Sequence, residues 1–290
     1  MSGFSPIWLR LREPFDRAAR SRELVTRIKR PQYATQRLVD LGAGTGANLR
    51  YIAPLLGGRQ HWTLVDDDAA VLASASLELA RWARQQDLKF VLRPDTMTIE
   101  AAEFHCHIER RTLDLSSELA DLPLTPACIV TASALLDLVS RAWVGALAQL
   151  CRARSATFLC ALSYDGSIRL DPADPLDETM RALINQHQRS DKGFGPALGP
   201  LATESAAAAF GRLGYAVSVE ASDWQLPATA TAIQTELLDG WQAAARAQDP
   251  MRAAELDAWH ARRMRLVAAA QSTISVGHAD LLAVPSEAAA

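Results

Sequence analysis

The chain alternates short apolar runs with segments whose apolar side chains recur at helical spacing. An apolar run at residues 38–41 enters a glycine-rich turn, and residues 47–55 then follow a helical pattern. Strands that alternate with helices in this way are typical of an α/β fold with a mainly parallel sheet. Further segments of strand length occupy residues 61–66, 105–114, 127–132, 156–162, 214–222 and 274–284. The segment 88–104 is less regular and is predicted to be irregular structure.

The first segment, residues 1–30, is predicted to be an amphipathic helical arm. Arg12, Asp16 and Arg20 recur every four residues and therefore share one face of that helix. Two interpretations remain open. The arm is either a solvated helix packed on the main domain or a lid over a bound ligand.

A second addition, residues 223–271, is predicted to be an insertion of two helices that break around Asp249 and Pro250. Its apolar stripes favour contacts with the core or with a second copy of the chain, which leaves a homodimer open. The main domain then comprises residues 31–222 together with the closing segment 272–285.

Composition argues against several classes of function. The net charge is -3 and the pI is about 6.1, so no strong field attracts nucleic acid or an anionic membrane. No apolar run approaches the ~18 residues of a membrane span, and Arg10, Arg12 and Glu13 interrupt any secretion signal at the start. We therefore expect a cytoplasmic protein without a membrane partner. The charge also disfavours a nucleic-acid partner, although it does not exclude one. The four cysteines lack CxxC spacing and are predicted to be buried free thiols.

The glycine turn is the strongest candidate for a ligand site. Gly42, Gly44 and Gly46 separate a predicted strand from a predicted helix, so bare backbone N–H groups and the helix start can approach a nucleoside-containing cofactor. Asp66 ends the next strand, 20 residues after Gly46, where a carboxylate accepts hydrogen bonds from ribose hydroxyls. Asp67 is a further candidate contact with the cofactor, whereas Asp68 is a candidate cap for the following helix.

Polar residues at the ends of the later strands are the other site candidates, since ligands bind outside the carboxyl ends of parallel strands. The Asp114 carboxylate can accept a hydrogen bond from the exocyclic amino group of adenine, while the backbone N–H of Leu115 donates one to a ring nitrogen. The first candidates for substrate contact are Ser133, Asp137, Tyr164 and Asp165.

The segment 169–200 is predicted to be a long loop on the ligand side of the sheet. It is either a plain surface loop or a loop that closes over substrate. Its candidate contact residues are His187, Arg189, Asp191, Lys192 and Phe194.

The run His105, Cys106 and His107 is the one that invites a metal interpretation. On a strand, Cys106 points away from both histidines, and no CxxC motif or neighbouring carboxylate completes a ligand set. We therefore predict structural or solvent-facing residues and no metal ion.

The residues around the turn resemble the first motif of the class I S-adenosylmethionine-dependent methyltransferases. VDLGAGTG, residues 39–46, is similar to their glycine-rich motif, Asp66 to their ribose acid, Asp114 and Leu115 to their adenine pair, and residues 131–138 to their fourth-strand motif. The resemblance extends in order over residues 38–222 and again over 272–285. It implies a Rossmann-like, seven-stranded, mostly parallel sheet with helices on both faces and an antiparallel last strand.

S-adenosylmethionine is the cofactor that this resemblance implies. Gly42, Ala43, Gly44 and Gly46 would pass close to its methionine part, Asp40 would orient the turn or reach the amino group, and Ser133 would lie near the methyl group. Asp67 would meet the amino-acid part. The fourth-strand text TASALLD lacks the [DN]PP[YF] motif of nucleic-acid aminomethyltransferases.

The activity expected is methyl transfer, by in-line displacement, to a nitrogen or oxygen atom of a small-molecule acceptor. Asp137, Tyr164 and His187 are the candidate bases, and Asp165, Arg189, Lys192 and Phe194 the candidate acceptor contacts. Two alternatives remain: methylation of a protein or RNA, and a non-catalytic protein that binds the cofactor. A dinucleotide oxidoreductase is disfavoured because Ala47 replaces the third glycine of G-x-G-x-x-G.

Overall fold

A computed structural model of the chain, which describes residues 6–28 and 34–286, shows an α/β architecture around one twisted sheet. Within these two ranges, ten strands join the sheet. They are β1 (Gln36–Leu41), β2 (Gly58–Asp66), β3 (Lys89–Leu92), β4 (Thr96–Glu100), β5 (Phe104–Thr112), β6 (Ile129–Ser133), β7 (Thr157–Asp171), β8 (Tyr215–Ala221), β9 (Trp224–Leu226) and β10 (Thr273–Pro285).

The strand order is β3-β4-β5-β2-β1-β6-β7-β10-β8, with β9 paired to β10. Strands β5, β2, β1, β6 and β7 run parallel, and β10 is antiparallel to both of its neighbours, β7 and β8. These seven strands confirm the predicted mostly parallel sheet with an antiparallel last strand. The strand count differs, because a β3–β4 hairpin extends one edge and β9 adds to β10.

The helices lie on both faces of the sheet. They are α1 (Pro6–Ala19), α2 (Arg22–Thr26), α3 (Ala47–Leu56), α4 (Ala69–Gln85), α5 (Arg141–Ala153), α6 (Asp177–Gln188), α7 (Ala202–Arg212), α8 (Thr231–Gln248) and α9 (Ala253–Ala268). One core is formed where α5 and α7 pack on the sheet, and another where α2, α3 and α4 pack on its opposite face.

A third core lies beyond the end of the parallel strands. Strands β7 and β10 continue past β6, whose last residue, Ser133, pairs with Ala161. Their extensions pack against α6, α8, α9 and α1, with Trp259 fully buried at the centre. The cap over the carboxyl edge of the sheet is therefore built on two strands that also belong to the central sheet.

Two sequence-based expectations are corrected here. Most of the segment 88–104, expected to be irregular, forms the β3–β4 hairpin at residues 89–100, in which Met97 and Ile99 are buried. Within the predicted loop 169–200, Asp177–Gln188 forms helix α6 because Met180 and Ile184, four residues apart, are buried on one face. The flanking residues 189–198 do lack helix and strand.

The predicted additions can be placed only in part. The arm 1–30 is described from residue 6 to residue 28, and its remaining residues lie outside the described structure, as do 31–33 of the main domain. Helices α8 and α9 lie between β9 and β10, with Asp249 at the break between them. The division of the chain into these units stays a prediction. Across the described ranges, no helix combines the length and the apolar character that crossing a bilayer requires.

Candidate functional site

The turn between β1 and α3 depends on glycine. Gly42, Gly44 and Gly46 have φ values of +62°, +54° and +77°, a region that side-chain-bearing residues rarely adopt. A Cβ on Gly44 would lie 3.5 Å from the Leu9 side chain of α1. The missing side chain therefore keeps a gap between the turn and the helix above it.

Asp66 joins the end of β2 to this turn. Its Oδ2 accepts a hydrogen bond from the Gly44 N–H at 2.8 Å, and its Oδ1 accepts one from the Asp68 N–H at 3.1 Å. Burial raises the pKa of Asp66, and the two backbone hydrogen bonds oppose that shift. Asp68 in turn caps α4 by accepting from the N–H groups of Ala70 and Val71, as the sequence predicts.

A buried polar network supports the turn from behind. Asp40 accepts a hydrogen bond from Asn48 Nδ2 at 2.6 Å, and Asn48 Oδ1 accepts one from Arg20 Nη2 at 2.7 Å. Burial raises the pKa of Asp40 to about 7 and lowers that of Arg20. Arg20, which directly follows α1 in the N-terminal arm, is thereby connected to the acid of the glycine motif.

The space between these elements is a cavity of about 530 Å³. Its wall combines the glycine turn and the acids after β2 with Leu9, Arg12 and Asp16 of α1. Helix α1 therefore forms one side of the cavity. Its action as a lid stays a prediction. A volume of this size lies within the range of small-molecule sites, roughly 300–1,000 Å³.

The predicted cofactor residues divide into two groups. Those in the cavity wall are Gly42, Ala43, Gly44, Asp66, Asp67, Leu115 and Ser133. Asp40, Gly46 and Asp114 lie outside that wall. Asp114 is exposed, and its carboxylate accepts hydrogen bonds from Ser116 and Ser117, which lower its pKa.

The three candidate bases all lie outside the cavity wall. Asp137 is buried, with no hydrogen-bond partner for Oδ1 within the described part of the chain, and burial raises its pKa to about 6. The Tyr164 hydroxyl donates to Asn185 Oδ1 at 2.7 Å, and burial raises its pKa. His187 Nδ1 lies 3.5 Å from Lys192 Nζ, and burial together with that ammonium lowers the pKa of the imidazole.

Of the predicted acceptor contacts, Phe194 reaches the cavity wall, where its ring meets Trp143 edge to face at 5.8 Å. Lys192 is half-buried and donates to Ser190 Oγ at 2.9 Å. Asp165 and Arg189 are exposed. The segment after α6 thus brings one aromatic side chain, rather than a set of charges, to the cavity.

A charged pair on α1 forms the polar part of the wall above the turn. Asp16 accepts from Arg12 Nε at 2.8 Å and from Trp224 Nε1 at 3.0 Å, and the Arg12 guanidinium lies 4.9 Å above the Trp224 ring. This contact joins the arm to the strand β9.

His278 is a buried titratable residue beside Trp224 that the sequence analysis did not single out. It lies on β10, its ring 5.1 Å from that of Trp224, and burial followed by the Arg12 charge lowers its pKa to about 3. A lone histidine inside an apolar strand carries no spacing signal, so the sequence offered no means of finding it.

The pKa values of Asp40 and His278 predict opposite effects of pH on stability. The folded-state pKa of Asp40, about 7, exceeds the unfolded value, so its contribution is lost as pH rises from about 4 through 7. The folded-state pKa of His278, about 3, lies below the unfolded value, so its contribution is lost as pH falls from about 6.5 towards 3.

Urea denaturation from pH 5 to pH 8 measures the alkaline side of this profile. We expect Asp40→Asn, which keeps an acceptor for Asn48, to reduce the loss of unfolding free energy between those pH values by a few kcal/mol, on the order of 1.4 kcal/mol per pKa unit. Parallel profiles for the wild type and Asp40→Asn would contradict the assignment.

Comparison with known proteins finds solved structures of similar fold. No protein-family model and no curated protein matches the chain. A cyclopropane-fatty-acyl-phospholipid synthase-like protein from Lactobacillus casei ATCC 334 is 14% identical, with 97% of this chain and 94% of that one covered and a TM-score of 0.51. The cyclopropane synthase MmaA2 of Mycobacterium tuberculosis is 10% identical, with coverage of 97% and 94% and a TM-score of 0.47.

A phosphoethanolamine N-methyltransferase 2 of Haemonchus contortus, solved with phosphomonomethylethanolamine and S-adenosylhomocysteine, is 14% identical with a TM-score of 0.40. The match covers 91% of this chain but only 52% of that longer one. At such identities the likeness extends to the fold alone. The chain therefore shares with the Lactobacillus casei protein a Rossmann-like α/β fold built around a mostly parallel sheet.

Proposed function

We propose that this protein is an S-adenosylmethionine-dependent methyltransferase that acts on a nitrogen or oxygen atom of a small-molecule acceptor. The observation that carries the proposal is the cavity in which the Gly42–Gly44 turn and the Asp66 carboxylate meet beneath α1. The proposal combines this geometry with the fold and the glycine motif.

The residues of the cavity fit the proposed cofactor. Asp66 would accept from the ribose hydroxyls, and the backbone of the turn would accommodate the methionine part, where a Cβ on Gly44 would instead fill the gap beneath Leu9. The Leu115 side chain and its N–H would border the adenine. When bound, this cofactor supplies a methyl group already activated by its sulfonium.

The chain's own residues would orient the acceptor and exclude water. Helix α1 covers the cavity with Leu9 and with the Arg12–Asp16 pair. The Asp16 carboxylate accepts hydrogen bonds from both Arg12 and Trp224, which holds the pair in place. Arg50 fixes this helix further through a bidentate pair with Glu13, at 2.8 and 2.7 Å. A cover held in this way favours a small acceptor over a polymer.

Asp137 is our proposed base for an acceptor that has a proton to lose. Its side chain lies outside the cavity wall in this structure, so this role requires it to turn into the cavity when the acceptor binds. Its neighbours Leu135 and Leu138 line the cavity, one of its oxygens has no hydrogen-bond partner among the described residues, and its pKa of about 6 leaves a substantial ionised fraction at neutral pH. Tyr164 is less suited, because burial keeps its phenol protonated.

The proposal is tested by incubating the purified chain with S-adenosylmethionine and the small-molecule fraction of a cell extract, and by measuring the S-adenosylhomocysteine that forms. We expect product with wild type and a strong reduction with Asp66→Ala. Product formed only with a protein or RNA fraction would mean that the acceptor is a macromolecule and not a small molecule. Cofactor binding without product from any fraction would indicate a non-catalytic binding protein.

A further inference from the structure

A cluster of potential metal ligands lies on the open face of the sheet, away from the cavity. Strands β2 and β5 pair in parallel with His61 directly opposite His107, and Glu109 follows two residues later on the same face of β5. All three side chains are half-buried. The alternate residues, such as Trp62 and Ile108, are fully buried on the other face.

The three side chains already converge. His61 Nε2 lies 3.2 Å from Glu109 Oε1, and His107 Nε2 lies 3.4 Å from the same oxygen. One potential ligand atom from each residue lies within 4.8 Å of the other two. In a tetrahedral zinc site with bonds of 2.0–2.1 Å, ligand atoms are about 3.4 Å apart. Two of the three separations therefore match the coordination geometry before any adjustment.

We propose that His61, His107 and Glu109 bind a divalent transition-metal ion of the zinc class. Two imidazoles and one carboxylate suit zinc better than magnesium or calcium, which prefer oxygen ligands alone. Three protein ligands leave a fourth position for water. The ligands come from two neighbouring strands, so the ion cross-links β2 to β5.

The position of the cluster indicates a structural role rather than one in the cavity. His61 precedes Asp66 by five residues on β2, which corresponds to about 16 Å along the strand. An ion held there stabilises the folded sheet, because it binds the folded chain in preference to the unfolded one.

The ligand set differs from the one that the run 105–107 first suggested. Cys106 is fully buried on the opposite face, where its thiol contacts Gln60 Oε1 at 3.5 Å. His105 remains on the open face but meets Glu100, at 3.7 Å. The second histidine of the cluster comes instead from the neighbouring strand, a pairing that only the strand register reveals.

Calorimetric titration of the tag-free chain with zinc chloride, without any cofactor, tests the site. We expect one zinc ion per chain, with affinity at least about 10-fold lower in His61→Ala and in His107→Ala, since each removes a direct ligand. His105→Ala is the matched control, because it removes a half-buried histidine–glutamate pair on the same strand face. Its affinity should stay within about 2-fold of wild type.

Thermal unfolding supplies a second readout. Zinc should raise the Tm of wild type and of His105→Ala but leave that of His107→Ala unchanged, while equal Tm values without zinc show that the variants fold. Binding that His105→Ala weakens as much as His107→Ala would indicate an adventitious ion only. Binding that persists in both ligand variants would place zinc elsewhere, and either result overturns the proposal.

Discussion

Replacing Asp66 by alanine is expected to weaken S-adenosylmethionine binding by about 100-fold, because two hydrogen bonds to a charged acceptor contribute about 1.5 kcal/mol each. The same carboxylate also holds the Gly44 N–H at 2.8 Å, so its loss releases the turn. Calorimetry with the purified variants measures the change.

Two further variants separate these contributions. Asp66→Asn retains an oxygen that can accept from Gly44 and should lose less affinity than Asp66→Ala. Asp95→Ala removes an exposed carboxylate in the turn between β3 and β4 and should bind like wild type. An Asp66→Ala affinity equal to that of Asp95→Ala would contradict a role for Asp66 in the cavity.

Asp114→Ala examines the second acid of the proposed adenosine site. The carboxylate of Asp114 is exposed and already engaged by Ser116 and Ser117, so we expect a smaller loss of affinity than in Asp66→Ala. A comparable loss would mean that Asp114 turns towards the ligand on binding, as the resemblance implies.

The second large effect is expected in the cap. Replacing Asp177 by alanine should destabilise the protein by about 3–5 kcal/mol, because it leaves the buried guanidinium of Arg263 without its ion-pair partner. The uncharged carbonyl oxygen of Pro172, which accepts from Nη1, would then be its remaining hydrogen-bond acceptor. The Arg263 side chain is 0% exposed and pairs with Asp177 Oδ2, while Asp177 Oδ1 accepts from Trp259 Nε1 at 2.8 Å. This one carboxylate therefore joins α6 to α9.

Urea denaturation measures this effect against a neighbouring control. Glu178→Ala removes an exposed ion pair with Arg181 in the same first turn of α6, and we expect it to change stability little. The double replacement Asp177→Leu with Arg263→Met should recover much of the loss, since no charge then remains buried. Equal destabilisation by Asp177→Ala and Glu178→Ala would refute the argument.

Local sequence patterns were enough to predict the parts of the fold that depend on contacts between residues close together in the chain. The three glycines predict a turn with positive φ, and the apolar run before Asp66 places that acid at the end of β2. Asp68 is a helix cap by residue type alone. These features are governed by contacts within a few residues, and each lies where the pattern predicts.

Other features depend on pairings that the sequence does not display. The continuation of β7 past Ala161 is set by its antiparallel partner β10, not by its own apolar pattern. Tyr164 was expected just after a strand but lies inside β7, and His187, expected in a loop, lies inside α6. The hydrogen bond that engages the Tyr164 hydroxyl comes from α6, which the sequence pattern did not predict. The convergence of His61 with His107 likewise depends on strand register.

The central claim is that the cavity beneath α1 binds S-adenosylmethionine. Calorimetric titration of the wild-type chain with S-adenosylhomocysteine, beside a parallel titration with NADH, tests it most directly. The account predicts one S-adenosylhomocysteine per chain and no binding of NADH. No binding of S-adenosylhomocysteine, or binding of NADH in its place, would contradict it.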